Sequence, residues 1–178
     1  MHFPPDGFML EDMNELDEVW AGMLESAITK AEAENRSDVA EYLKLKAAND
    51  AVRQTGVQWL FGSLLEIAGN NLQITIENET PHRFAFQNAS LVGSLLRLRY
   101  GLRCLTVEAG WTRTPADGFM RGGALACAVI SHFGISKHNA NLLLLRADDA
   151  PNWFSVEDDK RKLFNAIELQ RHFQVFLG

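Results

Sequence analysis

The chain has 178 residues, 47% of them hydrophobic and 22% charged, with a formal net charge of -6. That composition excludes extensive disorder. The acidic balance argues against nucleic acid or an anionic membrane surface as a partner held by charge alone.

The first residues, Met1-His2-Phe3-Pro4-Pro5-Asp6, lack the basic start and apolar core of a signal peptide. No apolar run approaches the ~20 residues needed to span a membrane. Two cysteines, Cys104 and Cys127, fall in separate strand-like runs, with neither a Cys-x-x-Cys pair nor a short disulfide framework. The expectation is a cytoplasmic protein with reduced thiols. Its 178 residues suit one α+β domain: an irregular arm over 1–11, a helical part over 12–69, a sheet over 72–164 and a terminal helix over 166–177.

Asp12 with Glu15 forms a capping-box pattern, and Met13, Leu16, Trp20, Met23, Ala27 and Ala31 follow at alternating spacings of three and four. Val19, Leu24 and Ile28 widen this stripe, and glutamates occupy the opposite side. Asn35-Arg36-Ser37-Asp38 breaks the pattern, with Ser37 as the cap of a second helix that would pair antiparallel with the first. Gly56 ends or kinks that helix, and Val57 to Ala68 forms a further, more apolar helical segment. Gly69-Asn70-Asn71 stops it, because Gly and Asn accept the left-handed backbone that closes helices.

From Leu72 the period changes to two. Leu72, Ile74 and Ile76 alternate with polar residues, as do Phe84 and Phe86, which predicts two half-buried antiparallel strands joined through Asn78 to Pro81. Ser94 to Ala109 reads as a hairpin turning at Tyr100-Gly101, since Gly supplies the positive φ of a tight turn. Alternation places Leu96, Leu98, Leu105 and Val107 on a core face, and Arg97, Arg99, Cys104, Thr106 and Glu108 on the other. Thr112 to Gly123 is a loop rich in Gly, with Pro115 ending the ladder. Ala124 to Phe133 is a strand buried on both faces, and Asn141 to Arg146, with four consecutive leucines, is another. Asp148 to Asn152 is a turn. Trp153–Val156 and Lys160–Phe164 form a last hairpin across Asp158-Asp159, with a helix from Ser155 as the competing reading. Asn165 with Glu168, and Phe164 with Leu169, supply the cap and the staple of a helix from Ala166 to Leu177. Helices, then strands, then one helix imply N-terminal helices packed on a curved, mostly antiparallel sheet.

The candidate chemistry gathers around the 112–123 loop. Its glycines precede a strand rather than a helix and lack Lys-Ser or Lys-Thr, so no phosphate-cradling loop is expected. Arg97, Arg113 and Arg121 are candidate anion ligands, because planar guanidinium groups match carboxylate and phosphate. Trp111 and Phe119 are candidate contact residues. Glu108 and His132 form a candidate acid–base pair, since imidazole titrates near neutrality. The histidines lack His-x-x-x-His spacing, so no metal is expected, and nothing calls for a cofactor. The Met/Leu/Trp stripe of the first helix leaves a homo-oligomer open.

Two functional readings follow. The first is a binding or protein-interaction module with an unknown protein partner, which predicts an exposed apolar patch around Trp111, Phe119 or Met120. The second is a small enzyme or ligand-binding protein for an anionic metabolite, at the sheet end near the 112–123 loop. The enzyme version requires Glu108 and His132 to meet in one pocket with the arginines.

Overall fold

A computed structural model of the chain describes residues 8–69, 71–147, 150–158 and 160–178. It divides into two compact units between Ala51 and Val52.

The first unit is a helical hairpin made by α1 (Phe8–Ala33) and the opening turns of α2 (Ser37–Ala68). Residues 1–7 of the expected arm lie outside the described residues, and 8–11 are already helical. Met9, Leu10 and Glu11 are strong helix formers, so Asp12 falls inside α1 rather than capping it. Asn35, at φ 56°, closes α1, with the Arg36 N–H donating to the Ala31 carbonyl at 2.8 Å. The antiparallel pairing is fixed by Trp20 Nε1 donating to Asp50 Oδ2 at 3.2 Å and by Lys44 Nζ meeting Glu32 Oε1 at 2.6 Å. Within α1 the side turned inward carries Leu24 and Ala31, whereas Met23 of the expected stripe is 60% exposed. Of the residues read as widening the stripe, Leu24 is buried and Ile28 half-buried but Val19 is 62% exposed, so the inward side runs through Leu24, Ile28 and Ala31.

In the second unit α2 continues through Gly56 without a break. One glycine costs a helix only about 1 kcal/mol, and here it has a packing role. A Cβ at Gly56 would sit 2.6 Å from a methyl of Leu144, and the Gly56 carbonyl accepts from Trp153 Nε1 at 2.9 Å.

The strands are β1 (Thr75–Phe86), β2 (Ala89–Tyr100), β3 (Arg103–Trp111), β4 (Ala126–His132), β5 (Ala140–Ala147), β6 (Ala150–Glu157) and β7 (Lys160–Phe164). Among the described residues they form one antiparallel sheet in the order of the chain. The last helix, α3, runs Ala166–Leu177.

Four sequence expectations need correction. The two short strands joined through Asn78–Pro81 are a single strand, β1, whose register shifts between Glu79 and His82. Pro81 is tolerated there because β1 is an edge strand, so the donor it lacks leaves the interior of the sheet intact. Leu72 precedes β1 and is 88% exposed. The β2–β3 turn is Gly101-Leu102, with Tyr100 opposite Arg103. Tyr100 stays in β2 because it packs edge-on against Phe176 of α3, with centroids 6.3 Å apart. This moves each pairing by two residues and so preserves the faces: Leu96, Leu98, Leu105 and Val107 are all 1% exposed or less. Finally, residues 150–152 belong to β6 rather than to a turn. The β6–β7 hairpin and α3 stand as expected, and the helix from Ser155 is not formed.

One face of the sheet is covered by α3 and the 52–68 part of α2. It carries Leu96, Leu98, Leu105, Val107, Ile130, Leu144 and Trp153, all buried. Burying each large side chain contributes about 1.5–3 kcal/mol. The other face curls. Gly93 and Gly110 lie opposite each other in β2 and β3, and a Cβ on Gly110 would stand 2.7 Å from the Val92 carbonyl oxygen. Only glycine lets the two backbones approach so closely.

Candidate functional site

The site is built on the curled face, at the sheet end where β1 finishes and β4 begins. Phe84 and Phe86 of β1, Leu91 of β2, Cys127 of β4, and Leu143 and Leu145 of β5 form a second buried cluster there, joined by Ala124 from the loop. Met120, Val129, Phe154 and Val156 pack against it.

The 112–125 loop walls this end. Its first turn is tied by Asp117, whose carboxylate accepts from the backbone N–H groups of Arg113 and Thr114 at 3.1 and 2.8 Å and from Arg83 Nη1 at 2.7 Å. The Arg83 guanidinium, helped by those N–H groups, holds the Asp117 carboxyl well below its ordinary range. Gly118, Gly122 and Gly123 all have positive φ, which turns the chain back over the cluster. At its far end the loop is pinned to β7, where Arg161 Nη2 donates to the Gly122 carbonyl at 3.3 Å.

Between the loop and the sheet lies a cavity of about 370 Å³ lined by Phe86, Gln87, Arg121, Gly122, Cys127, Leu143, Val156 and Arg161. It joins strands from opposite ends of the sheet order, which is the consequence of the curl. Phe86, Cys127, Leu143 and Val156 make an apolar floor, and Arg121 and Arg161 supply two positive charges. Among the described residues the lining contains no carboxylate. Arg121 has no ion pair among the described residues. Burial pushes the Cys127 thiol up to about 12, so it stays neutral and inert.

Of the residues expected to bind a ligand, Arg121 alone lines this cavity. Arg97 is paired with Glu77 at 2.9 Å, and Glu77 also takes Arg99 at 3.1 Å. Arg113 lies over the Trp111 ring at 4.0 Å, with Arg53 over the same ring at 5.9 Å. Trp111 is 4% exposed and Phe119 is 85% exposed.

Glu108 and His132 are not brought together. His132 pairs in register with Leu105, and Glu108 with Val129, three positions away in β3, so the two side chains project from opposite faces. Each has another partner that the sequence reading did not give it. Glu108 Oε1 meets His82 Nε2 at 2.8 Å, and His82 Nδ1 meets Glu79 at 3.0 Å. His132 Nε2 meets His172 Nδ1 of α3 at 2.9 Å. The proposed proton-transfer pair therefore has no geometric basis.

Arg161 is the site residue that sequence reasoning missed. The β6–β7 hairpin, once accepted, sets Arg161 opposite Val156, which assigns its face. No local signal announces that this face curls back to meet Gly122.

A larger cleft of about 530 Å³ lies beside α3 and includes His138, Lys162, Glu168, Arg171 and His172. Its charges are mixed in sign and partly satisfied, since Glu168 takes both Lys162 at 2.8 Å and Arg171 at 2.6 Å. Among the described residues no group of three or more His, Cys, Asp or Glu side chains is arranged to hold a metal, and no helix is long and apolar enough to cross a membrane. No protein-family model, curated protein or solved structure matches the chain.

Proposed function

We propose that the protein binds a small organic anion at the sheet end beside the 112–123 loop. The observation that carries this reading is the pairing of Arg121 and Arg161 in a cavity whose lining, among the described residues, holds no carboxylate. Two guanidinium groups in a partly apolar enclosure, with no acid beside them among the described residues, favour an anion strongly, because each is a fixed fork of N–H donors and the local dielectric is below that of water. Among the described residues nothing lining the cavity supplies a nucleophile or a base: Cys127 is held neutral, and the His132–His172 pair and His82 with its two glutamates lie elsewhere. Binding without chemistry is the reading this favours.

The alternative of a protein-interaction surface at the 112–123 loop has less support. Trp111 is buried and Met120 is half-buried against the second cluster, which leaves Phe119 as the exposed aromatic of the loop. A single exposed apolar side chain is ordinary on a protein surface.

The test is a thermal-shift screen of small anions, since a ligand that binds only the folded state raises its stability by mass action. The expected result is a concentration-dependent rise that Arg121→Gln and Arg161→Gln each abolish while Arg97→Gln, on the Glu77 pair, leaves it intact. A rise equally strong in both cavity variants would refute the assignment.

A further inference from the structure

We infer that the anion is a carboxylate carrying a short apolar body, with the carboxylate between Arg121 and Arg161 and the body on Phe86, Leu143 and Val156. This rests on the anion-binding reading above and sharpens it to a ligand class.

The chemistry of the cavity divides into two halves that a single ligand must satisfy together. Its charged half has two guanidinium groups and the Gln87 amide. A carboxylate has two oxygens, which two Arg forks can saturate. A phosphate group brings three terminal oxygens and close to two charges, and sites for it usually add a helix N-terminus, a lysine or a nest of backbone N–H groups. The lining contains no lysine, and β strands and a loop build the walls, so no helix end points in.

The apolar half is the surface of a buried cluster rather than a chance patch. Phe86 and Leu143 are each 8% exposed and Cys127 is 1% exposed. The thiol at the bottom is uncharged and would not repel an anion. At about 370 Å³ the cavity is near the lower end of ligand pockets, which suits a body of a few methylenes or one ring. The position of Arg161 is itself built: its guanidinium is held by the Gly122 carbonyl, and a Cβ at Gly122 would lie 2.6 Å from Arg161 Nη2. Gly122 thus allows the loop to close against the arginine that meets the ligand.

The experiment is calorimetric titration of the full chain, at neutral pH and low salt, with acetate, hexanoate, 3-phenylpropanoate, hexan-1-ol and inorganic phosphate. Hexanoate and phenylpropanoate are expected to bind roughly ten- to a hundredfold more tightly than acetate, because each buried methylene strengthens binding severalfold. Arg121→Gln and Arg161→Gln should each weaken hexanoate about tenfold or more, and Val156→Thr should weaken hexanoate but not acetate. Thermal melts of each variant establish that it is folded. Phosphate binding as tightly as hexanoate, and lost in Arg121→Gln, would overturn the carboxylate class while leaving the anion site standing. Hexan-1-ol matching hexanoate, or no anion binding that depends on either arginine, would overturn both.

Discussion

On the helix-covered face His132 is 4% exposed and bonded to another imidazole, while on the curled face His82 is bonded to two carboxylates. Burial, reinforced by His172 and His138 nearby, pushes His132 down to about 4. His172 is also lowered, chiefly by burial, with Glu168 opposing and His138 adding to the effect. His82 moves the other way: burial works against its charged form, but the bonds to Glu79 and Glu108 outweigh it and raise the imidazole above 6.5. The same residue type is thus pushed toward its neutral form on one side of the sheet and toward its charged form on the other. What differs is the company: α3 offers the first face apolar surface and a second imidazole, whereas the second face offers Glu79 from the bulged edge strand β1 and Glu108 from β3. The cavity follows the same division, since the curled face is where charged side chains and apolar floor meet.

The largest effect should come from removing the curl itself. Gly110→Val places a side chain against the Val92 carbonyl and the Gly93 backbone, 2.7 and 3.0 Å from where its Cβ would stand. Backbone has nowhere to move in the middle of two paired strands, so the cost should exceed about 4 kcal/mol and the fold should be lost. Gly62→Ala is the matched control: it lies in α2 with nothing within 4 Å of an added Cβ, and should stabilise by up to about 1 kcal/mol. Urea unfolding of both variants checks this. A folded Gly110→Val protein with wild-type stability would mean the β2–β3 crossing is not as tight as described.

The next effect in size is the acid sensitivity of the helix-covered face. Because the folded pKa of His132 lies below the unfolded one, the unfolded chain binds more protons as pH falls. The stability His132 contributes is complete above about 6.5 and is lost progressively down to about 4. The difference corresponds to roughly 3 kcal/mol at most. Asp117 and Glu168, both lowered from ordinary values of 3.8 and 4.5, begin to act only at the acid end of that window and below it. Urea midpoints should therefore fall steadily between pH 6.5 and 4.5 in the wild type, and His132→Gln should flatten that part of the profile. An unchanged slope in the variant would place the acid-sensitive group elsewhere.

How far the sequence discloses this division depends on whether the deciding contact is local. The cap of α3 is local: Asn165 is three residues from Glu168, and its Oδ1 accepts from the N–H groups of Ile167 and Glu168 at 3.0 and 3.2 Å. The faces of β2 and β3 are local too, because a period of two survives a turn displaced by one residue. β1 was misread because Asn78–Pro81 carries turn residues, and only its position at the sheet edge makes Pro81 acceptable within a strand. Arg121 was legible as a loop arginine, but the residue that completes the cavity with it, Arg161, is 40 positions away in the chain. Their meeting depends on the Gly93–Gly110 crossing. Glycines mark such a bend without saying which way it closes.

The smallest predicted effect is the one that tests the curled face against the helix-covered one most directly. With its folded pKa raised, His82 contributes stability that is fully present below 6.5 and fades as pH rises through the higher folded value. Glu108→Gln removes one of the two carboxylates that hold the imidazolium, while keeping an acceptor oxygen in place. Since Glu108 is partly exposed and Glu79 remains, the loss should be about 1 kcal/mol or less. It should appear at pH 5.5 and vanish by pH 9, where the neutral imidazole gains little from the missing charge. This dependence is opposite in sign to that of His132, so a single pair of urea titrations at the two pH values distinguishes the faces. An equal cost for Glu108→Gln at both values would mean that the cluster is held by neutral hydrogen bonds, and the contrast between the two histidines would reduce to burial alone.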